Sequence, residues 1–291
     1  MNTNKTASVI VLYQPDWDLL DQVIDAISEQ SQETLVIDNS PVDNEMLFKA
    51  RFERFDHISY RWLGGNFGIA YAQNRGIEDA KALGCAFVIF FDQDSIPDKT
   101  MVESLKDKFL FLEQQGIQVG IVGPRASSRA TDQPYKAKFA TGKDVFSGVT
   151  EIQQLISSGS LIKVSTFDEV GLFEERLFID IVDFEWCWRA HYVHGFKHFI
   201  IEDTFLSHMF GEKEQRVLGF RITVPTAFRI YYQFRNYVVL LRRKYVPVYW
   251  KVSNGVKLSV KFVLFPVICA NKSEYLRRSI AGIREGLRYG K

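Results

Sequence analysis

The sequence predicts an α/β protein: a mostly parallel sheet flanked by helices, with a helical, basic C-terminal extension. Three observations predict it. Short runs of β-branched and aromatic residues alternate with helical periodicity over the first two-thirds of the chain, the pattern of β-α-β units. One run, Phe87–Ser95 (FVIFFDQDS), is too short for an ordinary helix and reads as a strand buried on both faces, central in a parallel sheet. Charge is segregated: the +1 of the 291 residues hides a net −13 over residues 1–212 and +14 over residues 213–291. That division sets two expected regions, an α/β domain over 1–212 and a basic amphipathic helical region over 213–291.

In order, Ala7–Tyr13 is a strand, and Trp17–Ser28 a helix whose stripe is Trp17, Leu20, Val23, Ile24 and Ile27. Thr34–Ile37 is a second strand ending at Asp38, and the crossover between the two is right-handed. Ile58–Leu63 is a third strand. Gly64-Gly65-Asn66-Phe67-Gly68 follows it and leads into a helix from Ile69 to about Leu83. Glycines between strand and helix let backbone N–H groups approach a phosphate, although the spacing matches neither G-x-G-x-x-G nor a P-loop. After Phe87–Ser95 come a helix from Lys99 to Gln115 and a strand at Val119–Val122. Residues 125–153 read as irregular. Ser157-Ser158-Gly159-Ser160 opens a strand at Leu161–Val164, Asp183 is placed as the N-cap of a helix to about His194, and Phe199–Ile201 and Phe205–Met209 complete the domain. Residues 218–291 read as helices.

Composition excludes several classes. Cys85, Cys187 and Cys269 are odd in number and far apart, which fits buried thiols in a reducing compartment and neither a disulfide framework nor a zinc site. The apolar stretch near the N-terminus is too short for a signal-peptide core or a spanning helix, so a cytoplasmic location is expected. His191, His194 and His198 are expected to be structural.

The candidate chemistry lies at strand ends. Asp92 and Asp94 terminate the central run, at the sheet edge where open α/β sheets bind ligands, and paired carboxylates suit a hard divalent cation carrying phosphate oxygens. Asp38 ends its strand on the same edge, where its carboxylate could accept the N3–H of a uracil or thymine, or close an Asx-turn with Asn39-Ser40-Pro41.

Asp38, Gly65-Asn66-Phe67-Gly68-Ile69-Ala70 with Asn74-Arg75-Gly76, Asp92-Gln93-Asp94, Gly171-Leu172-Phe173, Asp183–Arg189 and His208 fall in one order. That order resembles the inverting family 2 glycosyltransferases of the GT-A fold. Phe178–Arg189 and Arg235-Asn236 look most like the bacterial rhamnosyltransferase branch, which uses dTDP-L-rhamnose in O-antigen or capsule synthesis. The resemblance implies a donor site with Asp38, Asn66, Gly68, Asn74 and Asp92. It also implies Mg2+ or Mn2+ on Asp94 and His208, Asp183 as catalytic base, and Glu185, Trp186 and Trp188 toward the acceptor. Trp186 and Trp188, two apart on a helix, do not share a face; one is expected in the core and the other along the acceptor groove. Val182-Asp183 stands where many relatives have Glu-Asp, which leaves Asp180 or Glu185 as partners in the role.

Such an enzyme transfers a sugar to a polyprenyl-diphosphate-linked saccharide. The cationic excess of the tail, interleaved with aromatic residues, matches an anionic membrane surface, so a peripheral position on the inner face of the membrane is expected; a helical cap with a solvated basic face is the alternative. No nucleic-acid motif accompanies the charge. A UDP-hexose donor and an inactive polysaccharide-assembly scaffold are the rival functions. A nucleotidyltransferase is disfavoured because Tyr13-Gln14-Pro15-Asp16-Trp17 stands where those enzymes carry a Gly-rich loop with Arg and Lys.

Overall fold

The computed structural model describes residues 4–128, 133–134, 142–208, 214–217, 220–269 and 271–289. The chain runs β1 (Thr6–Leu12), α1 (Trp17–Ser28), β2 (Glu33–Asp38), α2 (Glu45–Phe52), β3 (Ile58–Trp62), α3 (Ile69–Ala82) and β4 (Phe87–Asp92). Next come β5 (Ser95–Pro97), α4 (Met101–Gln114), β6 (Val119–Ser128), β7 (Gln133–Pro134), β8 (Lys143–Phe146), β9 (Val149–Ile152) and β10 (Leu161–Lys163). α5 (Thr166–Val170), a 3-10 turn (Glu175–Leu177), α6 (Val182–His194) and β11 (Lys197–His208) follow. A separate hairpin, β12 (Glu214–Val217) and β13 (Phe220–Thr223), precedes α7 (Ala227–Leu241), α8 (Val248–Ile268) and α9 (Lys272–Arg288).

The main sheet has the order β3-β2-β1-β4-β10-β6-β11-β9-β8. β1 is parallel to β2 and β4, β2 to β3, and β11 to β6. β4 is central as its apolar run demanded, but its neighbour β10 runs antiparallel to both β4 and β6, so the sheet is mixed there.

Strand alternation builds two cores, because successive side chains leave a strand on opposite faces. Ala7, Val9 and Val11 of β1, Leu35 and Ile37 of β2, and Val88 and Phe90 of β4 join α3, α5 and α6 in one core. Ile10 and Leu12, Val36, and Phe87, Ile89 and Phe91 join α1, α2 and α4 in the other. Asp16 caps α1, accepting from the N–H groups of Asp18 and Leu19 at 3.1 and 3.2 Å, which satisfies donors that a helix start leaves open. α3 lies close on the sheet: a Cβ on Gly76 would stand 2.4 Å from Cγ1 of Val9.

The C-terminal helices form a third core of Ile230, Phe234, Leu258 and Phe265. They join the rest through Trp188, Leu240, Val246 and Trp250, with the Trp188 and Trp250 rings 5.0 Å apart.

The structure corrects several expectations. α2 was not expected, since only Phe48 and Phe52 of it are buried while Met46 is 89% exposed. The segment read as irregular contains the β8–β9 hairpin, and the two strands expected near residue 200 are one, β11, bent by register shifts. Asp183 is inside the first turn of α6, which is entered through Ile181 in the left-handed conformation. Neither tryptophan lines a groove: Trp186 and Trp188 are both wholly buried. Trp186 packs against Phe167 and donates its indole N–H to Gly171 O at 2.8 Å. Trp188 packs against Trp250 and donates to Gln154 Oε1 at 2.7 Å. α6 is covered on both sides, by α5 and by the C-terminal helices, so opposite faces of it are both interior.

Candidate active site

The carboxyl ends of β1, β2, β3 and β4 share one edge, and parity distributes their acids. Asp92 continues the Val88–Phe90 side of β4, so it faces the layer that holds α6. Asp183 stands opposite it. Burial raises the Asp183 carboxyl to about 6 against hydrogen bonds from the N–H groups of Phe184 (2.9 Å) and Ser157 (3.1 Å), and the Asp92 charge adds to the rise. Burial, then the neighbouring Asp94 charge, likewise raises Asp92 to about 6. Desolvation and like charge both disfavour the ionised form, so both carboxyls keep a proton to higher pH than exposed acids do.

A strap missed in the sequence holds the two acids. Ser158 Oγ accepts from the Asp92 N–H at 3.1 Å and bonds Ser95 Oγ at 2.9 Å. Gly159 N–H donates to Phe90 O at 2.7 Å, and Gln73 Nε2 donates to Ser157 Oγ at 3.0 Å. Ser157–Ser160 therefore ties the end of β4 to the start of α6. Gly159, at φ +78°, lies so close to Pro124 that a Cβ would meet it at 2.7 Å; a glycine between serines before a strand was the available signal.

Asp38 sits on the same edge but, by parity with Val36, faces the α1–α2 layer. Its side chain accepts from Ser40 N–H at 2.8 Å, Asn44 Nδ2 at 2.8 Å and the Tyr60 hydroxyl at 2.7 Å. The Asx-turn alternative describes it, and the base-binding expectation for this wholly buried group is set aside. Asn66 Oδ1 accepts from Asn39 Nδ2 and Gly68 N–H, both at 3.0 Å, and locks the loop after β3.

Three further expectations are corrected. The N–H of Ile69 at the start of α3 donates to Phe178 O at 2.7 Å, and a Cβ on Gly68, at φ +91°, would lie 2.5 Å from that oxygen. Gly68 thus admits the Phe178 backbone rather than a phosphate. Asn74 is buried and exchanges two 3.0 Å hydrogen bonds with the backbone of Phe173, so it fixes Gly171–Phe173 and does not reach a donor. Glu185 is buried, pairs with Arg189 at 2.9 and 3.1 Å, and accepts from the Tyr245 hydroxyl at 2.6 Å; it serves α6 packing rather than an acceptor.

The turn ahead of Asp183 is strained. Phe178, Asp180 and Ile181 have φ of +65°, +64° and +68°, a conformation costing roughly 1 kcal/mol or more per non-glycine residue. α7 holds it. Asn236 Nδ2 donates to Leu177 O (2.9 Å), Ile179 O (2.8 Å) and Asp180 O (3.2 Å). Arg235 donates to Arg176 O (2.6 Å) and Leu177 O (2.9 Å), and Arg229 pairs with the Asp180 carboxylate. Arg235-Asn236 drew notice in the sequence, but not for this clamp.

The metal reading divides. Among the described residues no three His, Cys, Asp or Glu side chains cluster as ligands. The β5–β11 register sets His208 opposite Ser95, next to Asp94, while the His208 side chain lies outside the described residues. The repulsion between Asp92 and Asp94, both hard carboxylate donors, fits a hard divalent cation.

The fold, with acids gathered over the carboxyl edge of a mixed sheet, defines a GT-A glycosyltransferase. S. aureus TarS superposes with a TM-score of 0.59 at 14% identity over 97% of this chain, which spans 49% of TarS. GalNAc-T7 with UDP, GalNAc and Mn2+ superposes with a TM-score of 0.63 at 13% identity over 99% of this chain and 57% of that one. The signature described as Glycosyl transferase family 2 matches residues 8–171. dTDP-rhamnosyl transferase RfbF of Shigella flexneri is 32% identical over 301 residues, covering 99% of this chain and 97% of that protein. The chain belongs to glycosyl transferase family 2.

Proposed function

We propose that the protein transfers L-rhamnose from dTDP-L-rhamnose, with inversion, to a saccharide carried on a polyprenyl diphosphate during bacterial surface-polysaccharide synthesis. The full-length likeness to an enzyme named as a dTDP-rhamnosyl transferase carries the donor. The opposition of Asp92 and Asp183 across the crevice supports the chemistry.

Asp183 is the base. It removes the proton of the acceptor hydroxyl as that oxygen attacks the anomeric carbon from the side opposite the departing dTDP, and a single displacement inverts the centre. The Ser157 and Phe184 N–H groups hold its carboxylate, and the clamped turn sets its position. Asp94 and His208, with Asp92 near the ribose or the ion, would hold Mg2+ or Mn2+, which supplies charge neutralisation to the leaving diphosphate. A lipid-linked acceptor puts the enzyme at the cytoplasmic face of the membrane, and the net +14 of residues 213–291 favours an anionic surface there.

Thermal-shift titration with dTDP-L-rhamnose, UDP-sugars and GDP-sugars, each with and without Mn2+, tests the donor, because a ligand of the native state raises its stability. Metal-dependent stabilisation by the dTDP compound alone is expected. Stabilisation by a UDP-sugar instead removes the rhamnosyl assignment.

A further inference from the structure

The C-terminal helices leave one long apolar face uncovered. On α8, Tyr249, Val252, Val256, Val260, Val263 and Val267 are 52%, 62%, 61%, 55%, 71% and 64% exposed. At 100° per residue they fall within an arc of about 80°, a ridge roughly 27 Å long. Leu258 and Phe265, on the other side of the helix, are buried against α7 and α9, so the ridge is surplus to folding. Among the described residues no helix is long and apolar enough to cross a membrane.

Charge identifies what covers the ridge. α8 contains Lys251, Lys257 and Lys261 and no acid; Lys257 is exposed outside the arc, while Lys251 and Lys261 turn inward and donate to Arg243 O and Gln233 Oε1, both at 2.8 Å. A second copy laid along it would bring two regions of net charge +14 together, and like charges at a helix seam are destabilising. A protein partner of ordinary kind seats on aromatic or arginine anchors, whereas this ridge is valine from Val252 onward. An uncovered apolar stripe on a region of net charge +14 matches a helix lying in the plane of an anionic bilayer, its apolar face at the headgroup–acyl boundary.

The ridge also begins beside the active site. The Tyr249 hydroxyl donates to Gln154 Oε1 at 3.2 Å. Gln154 is three residues before Ser157, whose N–H holds Asp183. We infer that the Tyr249–Val267 face of α8 inserts into anionic membrane and brings the crevice to lipid-linked acceptors. This rests on the proposed function for the acceptor but not for the binding.

The test is flotation of the full-length protein with vesicles of phosphatidylglycerol and phosphatidylcholine, at low and high salt, beside V256D/V263D. Both substituted side chains are exposed, so folding should be preserved, and the thermal shift with dTDP-L-rhamnose checks this independently. The intact protein should float and retain part of its binding in high salt, because apolar insertion is not screened. The variant should partition at least about tenfold less with its nucleotide response intact. Three results overturn the inference: no flotation, binding wholly abolished by salt, or a variant that floats as well as the parent. A dimer in solution that the variant splits into monomers would also overturn it, making the ridge an interface between copies. If the protein floats but no dTDP response is seen, the donor assignment fails and the membrane face stands.

Discussion

The side-chain amide of Asn236 donates to the carbonyl oxygen of Ile179 at 2.8 Å, across the junction between the C-terminal helices and the turn that delivers Asp183. Asn236 is wholly buried and spends the same amide on Leu177 and Asp180. A turn with three non-glycine residues at positive φ persists only when its surroundings over-determine it. The C-terminal helices therefore belong to the architecture of the candidate active site, whatever surface they also meet.

Asn236→Ala takes the amide donor from the half-buried Ile179 and Asp180 carbonyls, while Leu177 O keeps Arg235, a loss of about 1–3 kcal/mol for each group left unsatisfied, and frees the strained turn. Transfer kcat should fall roughly ten- to hundredfold while donor KM changes less, since Asp183 loses its place rather than the donor its pocket. Steady-state kinetics alongside thermal unfolding separates this from a purely structural loss, which would lower the melting point and leave kcat per folded molecule unchanged.

Asp183→Asn should fold and cost transfer about 10²- to 10⁴-fold, the range for a positioned base. Since burial and Asp92 raise Asp183 to about 6, transfer by the parent should decline below that pH, about tenfold per unit. The inflection belongs to the Asp92–Asp183 pair rather than to either acid. A flat rate between pH 5 and pH 7 would assign the proton elsewhere.

Asp92→Asn should stabilise the metal-free protein at pH 7.5 by about 3 kcal/mol. The folded carboxyl, at about 6, lies above the ordinary 3.8, so the native state binds its proton more tightly than the unfolded chain. Stability is then lost as pH rises between those values, and the ionised group is a net cost above them. The gain from Asn should shrink below pH 6 and vanish near pH 4, which urea unfolding at each pH measures.

Trp188→Ala should destabilise by roughly 3–5 kcal/mol, as expected for emptying a core aromatic site. Gly68→Ala should do so through the collision with Phe178. Unfolding midpoints check both. A Trp188 variant of normal stability with raised acceptor KM would return that residue to the acceptor groove.

Much of this protein was legible in its sequence because local patterning carries it. Apolar runs of strand length, the Trp17–Ile27 stripe and acids at strand ends are properties of adjacent residues, and they yielded the α/β class, the central β4 and the candidate pair Asp92 and Asp94; Asp183 came from the family resemblance. Asn74, Glu185 and Trp188 were misjudged because motif membership says that a residue is needed without saying toward what. Asn74 is needed by Phe173, Glu185 by Arg189, and Trp188 by Trp250.

Spacing alone determined that Asp38 and Asp92 stand on one sheet edge, and the family resemblance added Asp183. Only the tertiary structure decided which face of that edge each one occupies: parity along β2 turns Asp38 toward Tyr60, parity along β4 turns Asp92 toward α6, and a turn clamped from α7 brings Asp183 to meet it. The physical reason is range. Periodicity acts over a few residues, whereas Asn236 and Ile179 are 57 apart and meet only when both are folded.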